Sequence, residues 1–306
     1  MKFSKVALIG CGLMGGSFAL ALRQAGLVER VVAFSPSERT TRRALELGII
    51  DQRADTAAQA AQGSDVVLLG VPVRSTQRCL QDIRDHLAPD ALLMDVGSTK
   101  GDVIAAAQQA LGSHIVQFLP AHPIAGKELS GIDHADAALY QQRITILTPL
   151  PTNTPTQIDR ARQLWQAVGS QVIAMDPTHH DAALAAVSHL PHVIAFAAMH
   201  ALIDQDHGAD FLTVAGPGFR DFSRIAASDP AVWRDILLSN RTEVLRQSRL
   251  FRQALEQLEH AIERSDTAAL EHAVSRARDA RAAWPGPAGQ ASTPTALSSQ
   301  TDDFKP

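Results

Sequence analysis

"KVALIGCGLMGGSFALAL", residues 5–22, decides the fold. A continuous apolar run, 5–10, meets closely spaced glycines and passes straight into a segment of helical pattern. A strand that ends in glycines and opens a helix is how a βαβ unit begins. Gly10, Gly12 and Gly15 stand in the G-x-G-x-x-G arrangement. In that setting Gly10 allows a tight turn, Gly12 lets the backbone approach a pyrophosphate, and Gly15 lets helix and strand pack closely. The first helical turn, with Leu13 and Met14, offers N–H groups and positive partial charge to phosphates. The plainer alternative is a strand–helix turn with no ligand. "LIGC" resembles a lipoprotein cleavage box, but the apolar run before Cys11, Val6 to Gly10, is too short for a signal segment.

Outward from this stretch the pattern repeats. Apolar runs at 30–34, 65–70, 91–96, 114–119, 143–148 and 171–176 alternate with helical segments at 13–25, 38–47, 74–87, 100–111 and 155–168. Continuous runs of this kind read as strands buried on both faces. The expectation is α/β: a Rossmann-type, doubly wound, mainly parallel sheet over residues 1–176. Strand signals stop there. An all-α C-terminal domain is expected over 177–284, with a long helix at 178–206 kinked at Pro191, and helical patterns at 216–226 and 229–282. Val244, Phe251, Leu255, Leu258 and Ile262 fall near heptad spacing. Such a stripe faces either its own core or a second subunit. The tail, 285–306, is rich in Pro, Ser, Thr and Ala and reads as disordered.

Composition narrows the class. A chain of 306 residues fits about two domains. It is 45% hydrophobic and 20% charged, with a formal net charge of −4, so it has no basic excess for nucleic acid. Cys11 and Cys79 lie far apart and support neither a metal set nor a disulfide framework, which suits a cytoplasmic setting. No stretch reaches about 18 apolar residues free of glycine or charge, so no membrane span is expected.

In open α/β sheets ligands sit beyond the carboxyl ends of the strands. That places Val71, Pro72, Ser98 and Lys100 beside the nicotinamide end of a dinucleotide, with the "PAHPIAG" loop around His122 nearby. Strand two ends at Ser35 where an acid would hold the ribose hydroxyls of NAD. Ser35, Ser37, Arg39 and Thr40 could instead receive a 2′-phosphate, which favours NADP, with NAD as the alternative. Arg39, Arg42 and Arg43 as a solvated helix face is the plain reading.

"GCGLMGGS", "DVGSTKG", "HPIAGKELSG", "SHLPH" and "GFRDFSRIAASDPAVW", in this order, resemble the prephenate/arogenate (cyclohexadienyl) dehydrogenases of tyrosine biosynthesis. The resemblance spans about 5–282. It implies oxidative decarboxylation of prephenate or arogenate, hydride transfer to a nicotinamide, and a homodimer formed through the helical domain. By resemblance, His122 would be the catalytic histidine on the substrate hydroxyl and Ser98 its orienting partner. His189 would lie near substrate, and Arg224 would clamp a carboxylate. Glu128, Asp221 and Trp233 match positions near the mouth of the site.

A histidine suits the proton transfer, because its ordinary pKa is near 6.5. The plain readings are a loop histidine at His122 and an i, i+3 pair of Asp221 with Arg224. His189 and His192 have the spacing of a metal pair but lack nearby ligands to complete it, and His179 and His180 are expected to be exposed. Two other functions compete. A β-hydroxyacid dehydrogenase would need a lysine in the helical domain, and 177–284 has none. A non-catalytic nicotinamide sensor would leave His122, His189 and Arg224 unexplained.

Overall fold

A computed structural model describes residues 2–126 and 129–286. The strands are β1 (Phe3–Ile9), β2 (Val28–Phe34), β3 (Gln52–Arg53), β4 (Val66–Leu69), β5 (Leu92–Asp95), β6 (Ala121–Pro123), β7 (Ile144–Leu147) and β8 (Gln171–Ala174). Five of them form a parallel sheet in the order β3-β2-β1-β4-β5. The order reverses between β1 and β4, which is a topological switch point. Ile9 pairs with both Phe34 and Leu69, and Leu69 with Asp95, so the strands end in line. Ser35, Gly10, Gly70 and Val96 therefore lie along one edge.

Alternation sorts each strand between two cores. Val6 and Leu8 of β1 pack with Phe18, Leu22, Tyr140 and Trp165. Ala7 and Ile9 pack with Leu80, Ile83 and Ile104 on the other face. The helices on these faces are α1 (Leu13–Gln24), α2 (Glu38–Glu46), α3 (Ala57–Ala61), α4 (Thr76–Ile83), α5 (Gly101–Leu111) and α6 (Pro155–Ala167). Helix α6 starts on a capping box between Thr154 and Gln157, with Pro155 in its first turn.

Two expectations fail here. Residues 114–119 are not a strand: Gly112–Gln117 is a 3₁₀ segment, and the run meets β5 at its end alone, through the Phe118 bridge to Leu93 and the Leu119 amide donating to the Leu93 carbonyl at 2.9 Å. The Gln117 amide donates to the Ala88 and Pro89 carbonyls, which fixes the turn. Conversely, His122 does not sit in a loop. It lies on β6, antiparallel to β7, in a second sheet β6-β7-β8.

The helices after β8 are α7 (Pro177–Leu184), α8 (Leu190–Ile203), α9 (Gly208–Leu212), α10 (Pro217–Ser223), α11 (Pro230–Ser239), α12 (Arg241–Glu263) and α13 (Thr267–Ala283). The helix expected over 178–206 is interrupted by a π segment, Ala185–His189, closed by the Leu190 amide donating to the Ala185 carbonyl. The wide turn comes just before Pro191, whose ring cannot donate in an α ladder. Pro177–Ile203 is long and apolar enough to cross a membrane, which the sequence does not lead one to expect. Its polar residues are used inside the fold, as described below.

The pattern at 229–282 resolves into three helices, broken at Asn240 and again before the Asp266 cap of α13. Contacts divide the chain into compact units Met1–Leu255 and Glu256–Pro306. The second unit is described over the end of α12 and α13. Of the tail, Pro285 and Gly286 are described and 287–306 lie outside the described residues.

Candidate active site

The glycine turn fits a dinucleotide. Gly10 has φ +94°, and a Cβ there would collide with the Gly70 carbonyl. A Cβ on Gly15 would lie 2.5 Å from the Gly10 carbonyl oxygen. One on Gly12 would meet nothing within 4 Å, so the space in front of it is open. Gly12 caps α1 without a side-chain hydrogen bond and no acid stands in the first turn, which leaves the amides for an anion. Gly12, Leu13 and Met14 form one wall of a cavity of about 490 Å³. Val71, Pro72 and Ser98 form another, and Trp233 with the buried Asp235 of α11 a third.

A second cavity, about 550 Å³, is lined by Arg39 and Thr40 together with Ser130–Asp133. Arg42 pairs with Glu38 at 3.7 Å, and Arg43 with Asp133 at 2.6 Å. Among the described residues no acid pairs with Arg39. Ser35 is half-buried and Ser37 exposed, and neither lines this cavity.

Lys100 is not a wall of the first cavity. It is fully buried, paired with Asp95, and donates to the Ala121 carbonyl at 2.8 Å. Asp95 in turn accepts from the Ala121 amide at 3.1 Å and the Gly97 amide at 2.8 Å. One ion pair thus clamps β6 to the end of β5 and shapes the turn that presents Ser98.

His122 is 8% exposed. Its Nδ1 lies 2.9 Å from His180 Nε2, and His180 Nδ1 lies 2.8 Å from Asp181 Oδ1. Asp181 also accepts from the Lys100 and Gly101 amides at the start of α5, at 2.9 and 2.8 Å. His180 is therefore no exposed residue: it is fully buried and touches His122, whereas His179 is exposed. The signal that could have found it is helix phase, since His180 shares a face with Leu184 four residues on. Ser98 makes no hydrogen bond to His122.

Burial, then the charge of Lys100 and the neighbouring His180 and His189, pushes the His122 pKa well below 6.5. Burial alone would raise the Asp181 carboxyl. Hydrogen bonds from His180 and the two amides outweigh it and hold the group below its usual value.

His189 is buried on the π segment, with Nδ1 3.2 Å from Asn240 Nδ2. Burial pushes its ring down to about 4. His192 is half-buried and stacks on Trp233 at 3.5 Å and 22°. Burial lowers its pKa, the Ser188 carbonyl opposes that, and the charge of Arg224 adds to it. Trp233 thus stands between the cavity and both histidines of "SHLPH". Among the described residues there is no cluster of metal ligands. Arg224 and Asp221 are exposed, and neither they nor His122 and His189 line the cavity. Glu128 lies outside the described residues.

Comparison with known proteins bears on the fold and the family. Residues 18–174 match the family model "Prephenate dehydrogenase, nucleotide-binding domain", and 176–275 match "Prephenate dehydrogenase, dimerization domain". The chain is 36% identical to the cyclohexadienyl dehydrogenase of Zymomonas mobilis, covering 79% of this chain and 83% of that one. It is 32% identical to the prephenate dehydrogenase of Bacillus subtilis, covering 92% and 76%. A solved prephenate dehydrogenase from A. aeolicus, in complex with hydroxyphenyl propionate and NAD+, superposes with a TM-score of 0.86 at 33% identity, covering 92% and 98%.

Proposed function

This chain belongs to the prephenate/arogenate dehydrogenase family, and from that premise we propose that His122 is the base of its reaction. The enzyme is an oxidoreductase that oxidatively decarboxylates prephenate, L-arogenate or both, in tyrosine biosynthesis, with hydride transfer to NAD(P)+. Held on the glycine turn and the first turn of α1, a nicotinamide dinucleotide would supply the acceptor for the hydride on the ring carbon that bears the hydroxyl.

The chain's own groups do the rest. His122 accepts the hydroxyl proton at Nε2 as the carbonyl forms. The carboxylate then leaves as carbon dioxide, its bonding electron pair moves through the now aromatic ring to the carbonyl oxygen, and that oxygen takes the proton back from His122. Base catalysis of this kind is worth on the order of 10²–10⁴ in rate. The observation that supports this reading is the burial of His122 with one ring nitrogen already engaged and its pKa held low. Such a ring is a free base at neutral pH. Ser98 holds the substrate from the cavity wall. His189 backs the substrate region, Trp233 stands at its rim, Arg224 grips a carboxylate in two hydrogen bonds, and Glu128 and Asp221 are assigned to the substrate by the family resemblance alone.

NADP is preferred over NAD. Arg39 and Thr40 line a cavity whose two acids, Glu46 and Asp133, are paired with Arg43, and Ser35 and Ser37 lie just upstream in the chain, so a 2′-phosphate meets the Arg39 cation there. Residues 1–176 bind the dinucleotide. Residues 177–284 carry substrate groups and pair two copies of the chain, in the cytoplasm. The stripe on α12 supports the pairing: Val244 is buried, but Phe251, Leu255 and Ile262 are 37%, 42% and 63% exposed.

One steady-state experiment tests the whole reading: wild type and His122→Asn, each with prephenate and arogenate and with NADP+ and NAD+. The expected result is turnover by the wild type, higher kcat/KM with NADP+, and a loss of at least about 10²-fold in kcat for His122→Asn with cofactor still bound. Near-normal kcat in His122→Asn overturns the base role. A clear NAD+ preference overturns the reading of Arg39.

A further inference from the structure

The histidine pair behind the site leaves little freedom for its hydrogens. Asp181 is held ionised by the amides of α5 and can only accept, so His180 Nδ1 carries the hydrogen between them. With one proton on each ring, His180 Nε2 is then a bare acceptor. The hydrogen in the 2.9 Å contact belongs to His122 Nδ1. A ring nitrogen engaged in this way determines which nitrogen stays free.

We infer that His180 and Asp181 are positioning residues that fix His122 as its Nδ1–H tautomer and leave the Nε2 lone pair for the substrate proton. The inference rests on the base role proposed for His122. The fold supports it from three sides. Asp176 caps α7, accepting from the Thr178 and His179 amides, and so sets the start of the helix that carries both groups. The N-terminus of α5 grips both Asp181 oxygens. Asn240 donates to the Asp181 backbone carbonyl at 2.7 Å.

The ionisable groups that face His122 are His180 and Asp181 of α7, Lys100 at the entry to α5 with its partner Asp95 of β5, and His189 of the π segment. Once the substrate proton reaches Nε2, the ring is a cation. Its Nδ1–H then donates into a chain ending on a carboxylate, which favours the charge in the step that creates it.

The tautomer can be read without turnover. In the intact protein with ¹⁵N-labelled histidine, at neutral pH, the His122 signals are assigned by their loss in His122→Asn. The expected spectrum has Nδ1 protonated and Nε2 bare. An Nε2–H ring overturns the inference whether or not the protein is active, while full activity of His122→Asn overturns only the base role.

Kinetics supply the second arm. His180→Leu should lower kcat on the order of 10²-fold, leave cofactor binding near normal and move the acid limb of the kcat–pH profile. His180→Gln, whose amide oxygen can still accept from His122 Nδ1, should recover most of that loss. Unchanged kcat and acid limb in His180→Leu would also overturn the inference. If that variant does not fold, the wild-type spectrum alone decides.

Discussion

His189 shows what burying a histidine costs at low pH. Its ring sits at about 4 in the folded chain against an ordinary value near 6.5. Below pH 6.5 the unfolded chain takes up this proton and the folded chain does not, so stability falls as pH falls. The loss begins near pH 6.5 and is complete near pH 4, on the order of 3 kcal/mol for this ring. His122, lowered in the same direction, adds to it. Urea midpoints should therefore drop between pH 7 and pH 4.5, and His189→Asn should flatten that drop. A midpoint constant over this range would contradict the burial argument. At this scale the sequence was partly legible. His122 stood out because its neighbours form a recognisable string. His180 did not, because a His-His doublet beside a helix start looks solvent-facing until α7 is docked against α5. His192 was visible only as the partner of a rejected metal pair, and its stacking on Trp233 joins residues 41 apart in sequence.

Elements were legible where periodicity is long and caps are written in the chain. β1, α1, β2 and β4 follow from continuous apolar runs and glycines, and α6 from Thr154, Pro155 and Gln157. β6 was not, because three residues that include a proline carry no alternation to read. It exists because Asp95 and Lys100 satisfy Ala121 from the neighbouring strand end and helix start. The 3₁₀ segment at Gly112–Gln117 has a strand-like composition, and its turn is set by the Gln117 side chain. The β1–α1 turn gives the test at this scale. Gly15→Ala places a methyl 2.5 Å from the Gly10 carbonyl oxygen, so strand and helix must separate. The expected effects are a stability loss of about 1–3 kcal/mol and weaker cofactor binding in a fluorescence titration. Gly12→Ala has open space in the free protein, so it should spare stability and weaken the cofactor only. Equal stability losses in the two variants would refute the distinction.

The sequence placed the change from α/β to all-α at the point where strand signals stop, and β8 is the last strand among the described residues. What one chain could not say is which way the α12 stripe faces. In the single chain it is exposed, and a second copy is the occupant proposed for it. Phe251→Glu should convert dimer to monomer in sedimentation experiments at micromolar concentration, and an unchanged dimer would move the interface elsewhere. The Asp95–Lys100 pair reaches across three elements, because β5, the entry to α5 and β6 all close on it. Removing one partner strands the other charge away from water, at roughly 3–5 kcal/mol, whereas replacing both with apolar residues of similar volume can come near to neutral. Descendants of this chain should thus drift slowly at either position alone and change there in pairs, so that a double replacement survives selection where each single one is purged.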